Sequence, residues 1–171
     1  MKVIFKTLEK SSILAFLFAL FVCFNFLLNL YMPPKLALDL RFAYSASEAF
    51  SVLQTMGESM RKQYLLIIWA LDMPYMIFYL LLLIGLICKI WKKKCLIILP
   101  IITVLLDLFE NLTVSVLILR FPSESFTLGY MASFFSTTKW IFVGACLLYI
   151  IVGLIRNLLY KRRTDLDLKG E

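Results

Sequence analysis

The chain has 171 residues, of which 62% are apolar and 17% charged, and a formal net charge of +7. A soluble domain is nearer half apolar and a quarter charged, so this composition points to a membrane protein. The excess of bases does not read as a nucleic-acid footprint, because they cluster at the ends of apolar runs, where lipid headgroups account for them.

Histidine is absent, which removes haem, most transition-metal sites and any histidine proton relay. No metal and no cofactor is expected. The four cysteines, Cys23, Cys88, Cys95 and Cys146, form no C-x-x-C pair and read as small packing residues.

In chain order, Lys2, Lys6 and Lys10 precede an apolar run over about 12–31. It is longer than a signal-peptide core and lacks a small-residue cleavage site. A bilayer crossing needs about 20 residues, so this is the first span, stopped by Pro33 and Pro34. A long polar connection follows. Within it Ser45-Ala-Ser-Glu48 fits a capping box, and Ala49, Phe50, Leu53, Met56 and Met60 recur at helical spacing. The pattern predicts an amphipathic helix over about 46–62. It lies on the outer membrane surface or over the mouth of the bundle, or serves as a plain connector.

The second span is expected over about 64–90. It contains Asp72-Met-Pro-Tyr75, and Trp69, Asp72, Tyr75 and Tyr79 share a stripe. Pro74 donates no amide and crowds the preceding turn, which predicts a kink beside Asp72. A basic turn over 89–94 leads into the third span, about 95–119. A second connection, rich in Ser, Thr and Phe, runs from Arg120 through Thr138. The fourth span is placed over about 137–160, before Lys161-Arg-Arg163 and a polar tail.

Twelve of the 18 bases lie in the N-terminal segment, the 89–94 turn and the tail. The positive-inside rule then puts both termini on the cytoplasmic side of the cell membrane. The expected fold is all-α: a four-helix transmembrane bundle in a single domain, with an extra amphipathic helix outside.

The third span is barely apolar enough to insert. Its 17 Leu, Ile, Val and Phe residues favour insertion by about 8 kcal/mol, while Asp107 and Glu110 each oppose it by about 3 kcal/mol, before Asn111 and Pro100 are counted. Such a segment must find polar partners on neighbouring helices. Asp107, Glu110 and Asn111 stand at i, i+3 and i+4, and Ser115 extends the row, so the polar groups share one face. At about 1.5 Å per residue, Asp72 lies about 12 Å from the outer end of its span, Glu110 about 15 Å and Asp107 about 20 Å.

Lys139, near the outer surface with a long stem, is the expected counter-charge for Asp72 or Glu110. Arg61 and Arg120 are further candidates near the mouth. The candidate polar intramembrane cluster is therefore Asp72, Tyr75, Tyr79, Asp107, Glu110, Asn111, Lys139 and Arg61.

Three readings follow. The acids line a cavity that binds a small or lipid ligand or supports assembly with a membrane-protein partner. Alternatively, Asp72 or Glu110 is a general acid/base acting on a lipid, with Lys139 or Arg61 holding an anionic headgroup. The third reading is a proton or ion pathway. The bland competitor is that the polar groups only hold the helices together.

The pattern Gly57-x-x-x-Arg61-x-x-Tyr64, Asp72-x-Pro74-Tyr75, Asp107-x-x-Glu110-Asn111 and Lys139-Trp140 resembles a family of small bacterial four-helix integral membrane proteins. The resemblance covers roughly residues 38–142. It implies no activity, but it implies that the acids, Arg61 and Lys139 belong to one unit.

Overall fold

The computed structural model describes residues 2–92 and 95–167. Lys93 and Lys94 of the basic turn and the last residues of the polar tail lie outside the described residues. The protein is an all-α bundle with four helices long and apolar enough to cross a membrane. A short α1 (Lys2–Leu8) leads into α2 (Ser11–Tyr31). After a loop over 32–45 come α3 (Ala46–Ile67), a π turn (Ile68–Asp72) and α4 (Met73–Trp91). A 3₁₀ turn (Cys95–Ile97) precedes α5 (Ile98–Arg120), and α6 (Phe126–Asp167) completes the chain.

The spans run up and down. α1, the end of α4, the start of α5 and the C-terminal half of α6 gather at one end of the bundle, and the 32–45 loop and the start of α3 at the other. These are called the terminal end and the loop end below. α5 and α6 form the most extensive interface, and α2 packs along α4. At the terminal end Trp91 of α4 stacks on Tyr149 of α6, with centroids 4.4 Å apart and planes 4° from parallel. The Arg156 guanidinium lies 4.3 Å over the other face of the junction, above the Trp91 ring.

The capping box at the start of α3 is formed. Ser45 Oγ accepts from the Glu48 amide at 3.2 Å, and the Glu48 carboxylate accepts from the Ser45 amide at 2.6 Å. The apolar stripe of 46–56 does not lie on a membrane surface. Ala46, Ala49, Phe50, Leu53 and Met56 are buried in a core shared with α5, α6 and the loop, so this helix closes the loop end of the bundle.

It is also not a separate element. It bends at Gly57, where φ is +69° and ψ is 171°, a region essentially reserved for glycine that costs an L side chain about 1–3 kcal/mol. Beyond the bend the same helix continues into the second span. Arg61 serves the bend: its Nη1 reaches back across it and donates to the Leu53 carbonyl at 2.7 Å. Its guanidinium also covers the Phe121 ring at 4.1 Å.

The kink expected beside Asp72 takes the form of a π turn. The Met73 amide bonds the Ile68 carbonyl, five residues back, immediately before Pro74, whose missing N–H interrupts the regular ladder.

The fourth helix differs most from its expected limits. It begins at Phe126, not near 137, so most of the supposed second connection is helical. The reason is tertiary. Gly129 lets α6 press on the start of α3, where an added Cβ would meet Ala46 Cα at 2.8 Å. The Ser and Thr hydroxyls that weaken a helix in isolation here bond the loop. Ser136 donates to the Arg41 carbonyl at 2.7 Å and Thr137 to the Phe42 carbonyl at 2.6 Å, while Ser133 accepts from the Tyr44 amide at 3.1 Å.

Candidate functional site

Starting α6 at Phe126 changes the depth of Lys139. It stands thirteen residues from the loop end of α6, as Asp107 stands thirteen from Arg120 at the loop end of α5. Both are therefore about 20 Å down their helices, and the α5–α6 pair brings them together. Lys139 is not a surface residue reaching inward. It is buried, and its ammonium lies 3.0 Å from Asp107 Oδ1, 2.6 Å from Glu110 Oε2 and 3.3 Å from the Asp39 main-chain carbonyl. The contacts to Asp107 and the Asp39 carbonyl are hydrogen bonds, and the one to Glu110 is an ion pair. Of the two expected partners, Glu110 is paired and Asp72 is not, and Asp107 is the second acid on the ammonium.

Asp107 is equally occupied. Its second oxygen accepts from the Tyr79 hydroxyl at 2.7 Å. Asp72, set on the π turn, has Oδ2 bonded by the Asn111 amide. Among the described residues no partner reaches its Oδ1 and no cation comes within ion-pair distance. Tyr75 accepts from Asn25 Nδ2 of α2 at 3.0 Å and stacks on Phe21 with centroids 5.4 Å apart; Tyr79 meets the Tyr75 ring edge-on, also at 5.4 Å.

Glu110 is fully buried behind Lys139. Its Oε1 has no hydrogen-bond partner, and its contact with the ammonium through Oε2 is a close ion pair of poor hydrogen-bond geometry. Ser115, the expected extension of the row, is buried with its hydroxyl unpartnered.

These side chains surround a cavity of about 540 Å³, within the usual range for small-molecule sites. Asp72, Tyr75, Tyr79, Asp107, Asn111 and Lys139 all line it, and Glu110 and Arg61 do not. Arg61 is the clear departure from the expected cluster. Its reach is spent on the Gly57 bend one turn and more above, as described, so it neither pairs with an acid nor faces the cavity. Arg120 is likewise no counter-ion, forming no ion pair among the described residues. Trp69 points away from the stripe and is half exposed.

Below the polar groups the walls are apolar: Leu82, Leu83 and Leu86 of α4 face Val143, Leu147 and Ile150 of α6. From Asp72 to Leu86 the helix rises about 21 Å, so the cavity is long, with its polar groups gathered toward the loop end. α2 rests on α4 and leaves α6 almost untouched. The gap between α2 and α6 is edged by Phe18 and Leu147, which line the cavity and are also half exposed. The cavity thus has a side opening at the depth of the spans.

Three residues absent from the expected cluster belong to this site. Asp39 lines the cavity, and its main-chain carbonyl accepts from Trp140 Nε1 at 3.0 Å as well as from Lys139. Tyr64 fixes the same loop, donating to Asp39 Oδ1 at 3.1 Å and accepting from the Leu38 amide at 3.1 Å. Asn25 ties α2 to Tyr75. Asp39 sits in a loop with no periodicity to mark it, whereas Trp140 was visible beside Lys139. Burial and the nearby Glu110 hold the Tyr44 phenol well above its ordinary value, so this loop presents a neutral ring to the acids.

Among the described residues no group of three or more metal-ligating side chains is placed to hold a metal ion. Comparison with known proteins adds no relative: no family model, curated protein or solved structure matches this chain.

Proposed function

We propose that this is a multi-pass protein of the cell membrane, both termini cytoplasmic, that takes up an amphiphilic or lipid ligand from the bilayer. The ligand enters sideways between α2 and α6, its chain lies along the leucine-lined arm, and its polar head rests beside Asp72. The observation that carries this reading is the cavity itself, with a lipid-depth rim at Phe18 and Leu147 and buried polar groups at one end. Pure interhelical glue would need no such space. The concentration of bases at the terminal end supports the proposed orientation.

A second reading, a lipid-modifying enzyme, draws support from Asp72. Its carboxylate is buried, has an oxygen without a partner, faces the cavity and sits on a π turn, a feature frequent at functional sites. In that case Asp72 is the acid/base; Glu110 has no route to the ligand, and Lys139 and Arg61 are already committed elsewhere. Assembly with a membrane-protein partner would use the exposed outer faces of α2 and α6. A proton pathway gains no support, because the arm toward the terminal end is lined by leucine, isoleucine and valine.

Trp140 lines the cavity and reports occupancy. In a Trp69→Phe, Trp91→Phe background, an amphiphile with a brominated chain should quench Trp140 saturably in nanodiscs. Val143→Phe should weaken that quenching by filling the arm. Quenching that rises only in proportion to the brominated fraction, unaffected by Val143→Phe, would sink the proposal.

A further inference from the structure

The charge balance of the cavity specifies the head of its occupant. Three carboxylates, Asp39, Asp72 and Asp107, line it, Glu110 stands directly behind, and one cation, Lys139, answers them. That cation already faces the Asp107 and Glu110 carboxylates and donates to Asp107 and the Asp39 carbonyl, so its single charge is outweighed before a phosphate or carboxylate head arrives. An anionic lipid would therefore meet a set of acids with no free cation to answer it. Asp72 and Asp39 each keep an oxygen without a partner among the described residues, and of the two only Asp72 stands on a span beside the apolar arm, its other oxygen held by Asn111.

A buried carboxylate without a cation is costly unless something pairs with it. Beside Asp72 stand Phe21 and Tyr75, a stacked pair whose faces and edges line the same wall, and an aromatic face attracts a cation.

We infer that the occupant is a cationic amphiphile, a single-chain or lipid amine whose ammonium pairs with Asp72 Oδ1 against the Phe21–Tyr75 wall while its chain fills the leucine-lined arm. The inference rests on the lipid-uptake reading above and adds the chemical class of the head. No covalent step is involved. Asp107 is excluded as the receptor because both its oxygens are occupied, by Lys139 and Tyr79. Asp39 already accepts from Tyr64 and lies at the loop end, away from the arm. Only Asp72 sits where a head group and a buried chain can be satisfied together.

The test compares three probes with one chain and different heads: dodecylamine, dodecanol and laurate, each displacing the brominated amphiphile from full-length protein in nanodiscs at pH 7. Dodecylamine should displace at a concentration at least tenfold below either of the others. Asp72→Asn should erase that advantage, so that dodecylamine and dodecanol displace at similar concentrations on the same variant, and Phe21→Leu should reduce it in part.

If dodecanol or laurate displaces as well as dodecylamine, the head-group inference falls and the uptake reading survives. If the brominated probe never binds saturably, the uptake reading itself falls. Because the ranking is made on the unaltered protein, it overturns the inference even if Asp72→Asn does not fold.

Discussion

Replacing Lys139 with methionine removes the one cation from a nest of acids while keeping nearly the same length and volume. Packing loss is therefore small, and the effect is electrostatic. The ammonium makes two charge-assisted contacts, to Asp107 at 3.0 Å and Glu110 at 2.6 Å. At about 1.5–3 kcal/mol each, their loss gives about 3–6 kcal/mol, in line with the roughly 3–5 kcal/mol for breaking a buried pair from one side. For a chain of this size that corresponds to a fall in Tm of roughly 6–24 °C.

The molecule carries its own reporters. Cys88 and Cys146 are buried, and Cys23 is exposed. A thiol-reactive fluorogenic dye added in detergent during a temperature ramp should show a constant early signal from Cys23 and a cooperative rise as the buried pair is uncovered. A triple variant, Lys139→Met with Asp107→Asn and Glu110→Gln, removes the stranded charges and should recover part of the loss. If Lys139→Met unfolds no earlier than the parent, or the triple variant is less stable than the single one, the ammonium is not what holds α5 to α6.

Other consequences can be checked with the same ramp. Glu110→Gln should lower Tm, since it removes a fully buried partner of Lys139, whereas Asp72→Asn should leave it unchanged or raise it, because Asp72 has no cation to lose; equal destabilisation by both would mean that Asp72 is simply structural. Gly57→Ala should cost about 1–3 kcal/mol from its backbone conformation alone, as nothing stands within 4 Å of the added Cβ. Arg61→Ala should destabilise by about 1–3 kcal/mol through the exposed Leu53 carbonyl, with no change in Trp140 quenching; a binding defect without instability would return Arg61 to the site. Gly129→Val should be strongly destabilising, since it forces α6 away from Ala46.

The residues that say "membrane" are those whose meaning is local. Four apolar runs, the Ser45–Glu48 capping box, Pro74 beside Asp72 and the i, i+3, i+4 row on the third span each follow from neighbours in the chain, because insertion, capping and helical spacing depend on residues a few positions apart. They were sufficient to establish an all-α bundle and to single out most of the polar groups that face one another.

What the sequence left open is set by contacts between distant segments. Lys139 belongs to Asp107 and not to Asp72 because α6 starts at Phe126, and it starts there because Gly129, Ser133, Ser136 and Thr137 find partners in α3 and the 36–45 loop. Arg61 is taken from the acids by a bend at Gly57 that no periodicity announces, and Asp39 enters the site on a loop whose path is fixed by Tyr64 and Trp140. Long-range pairing of this kind depends on where each helix begins and how deep each side chain sits, and only the assembled bundle decides either.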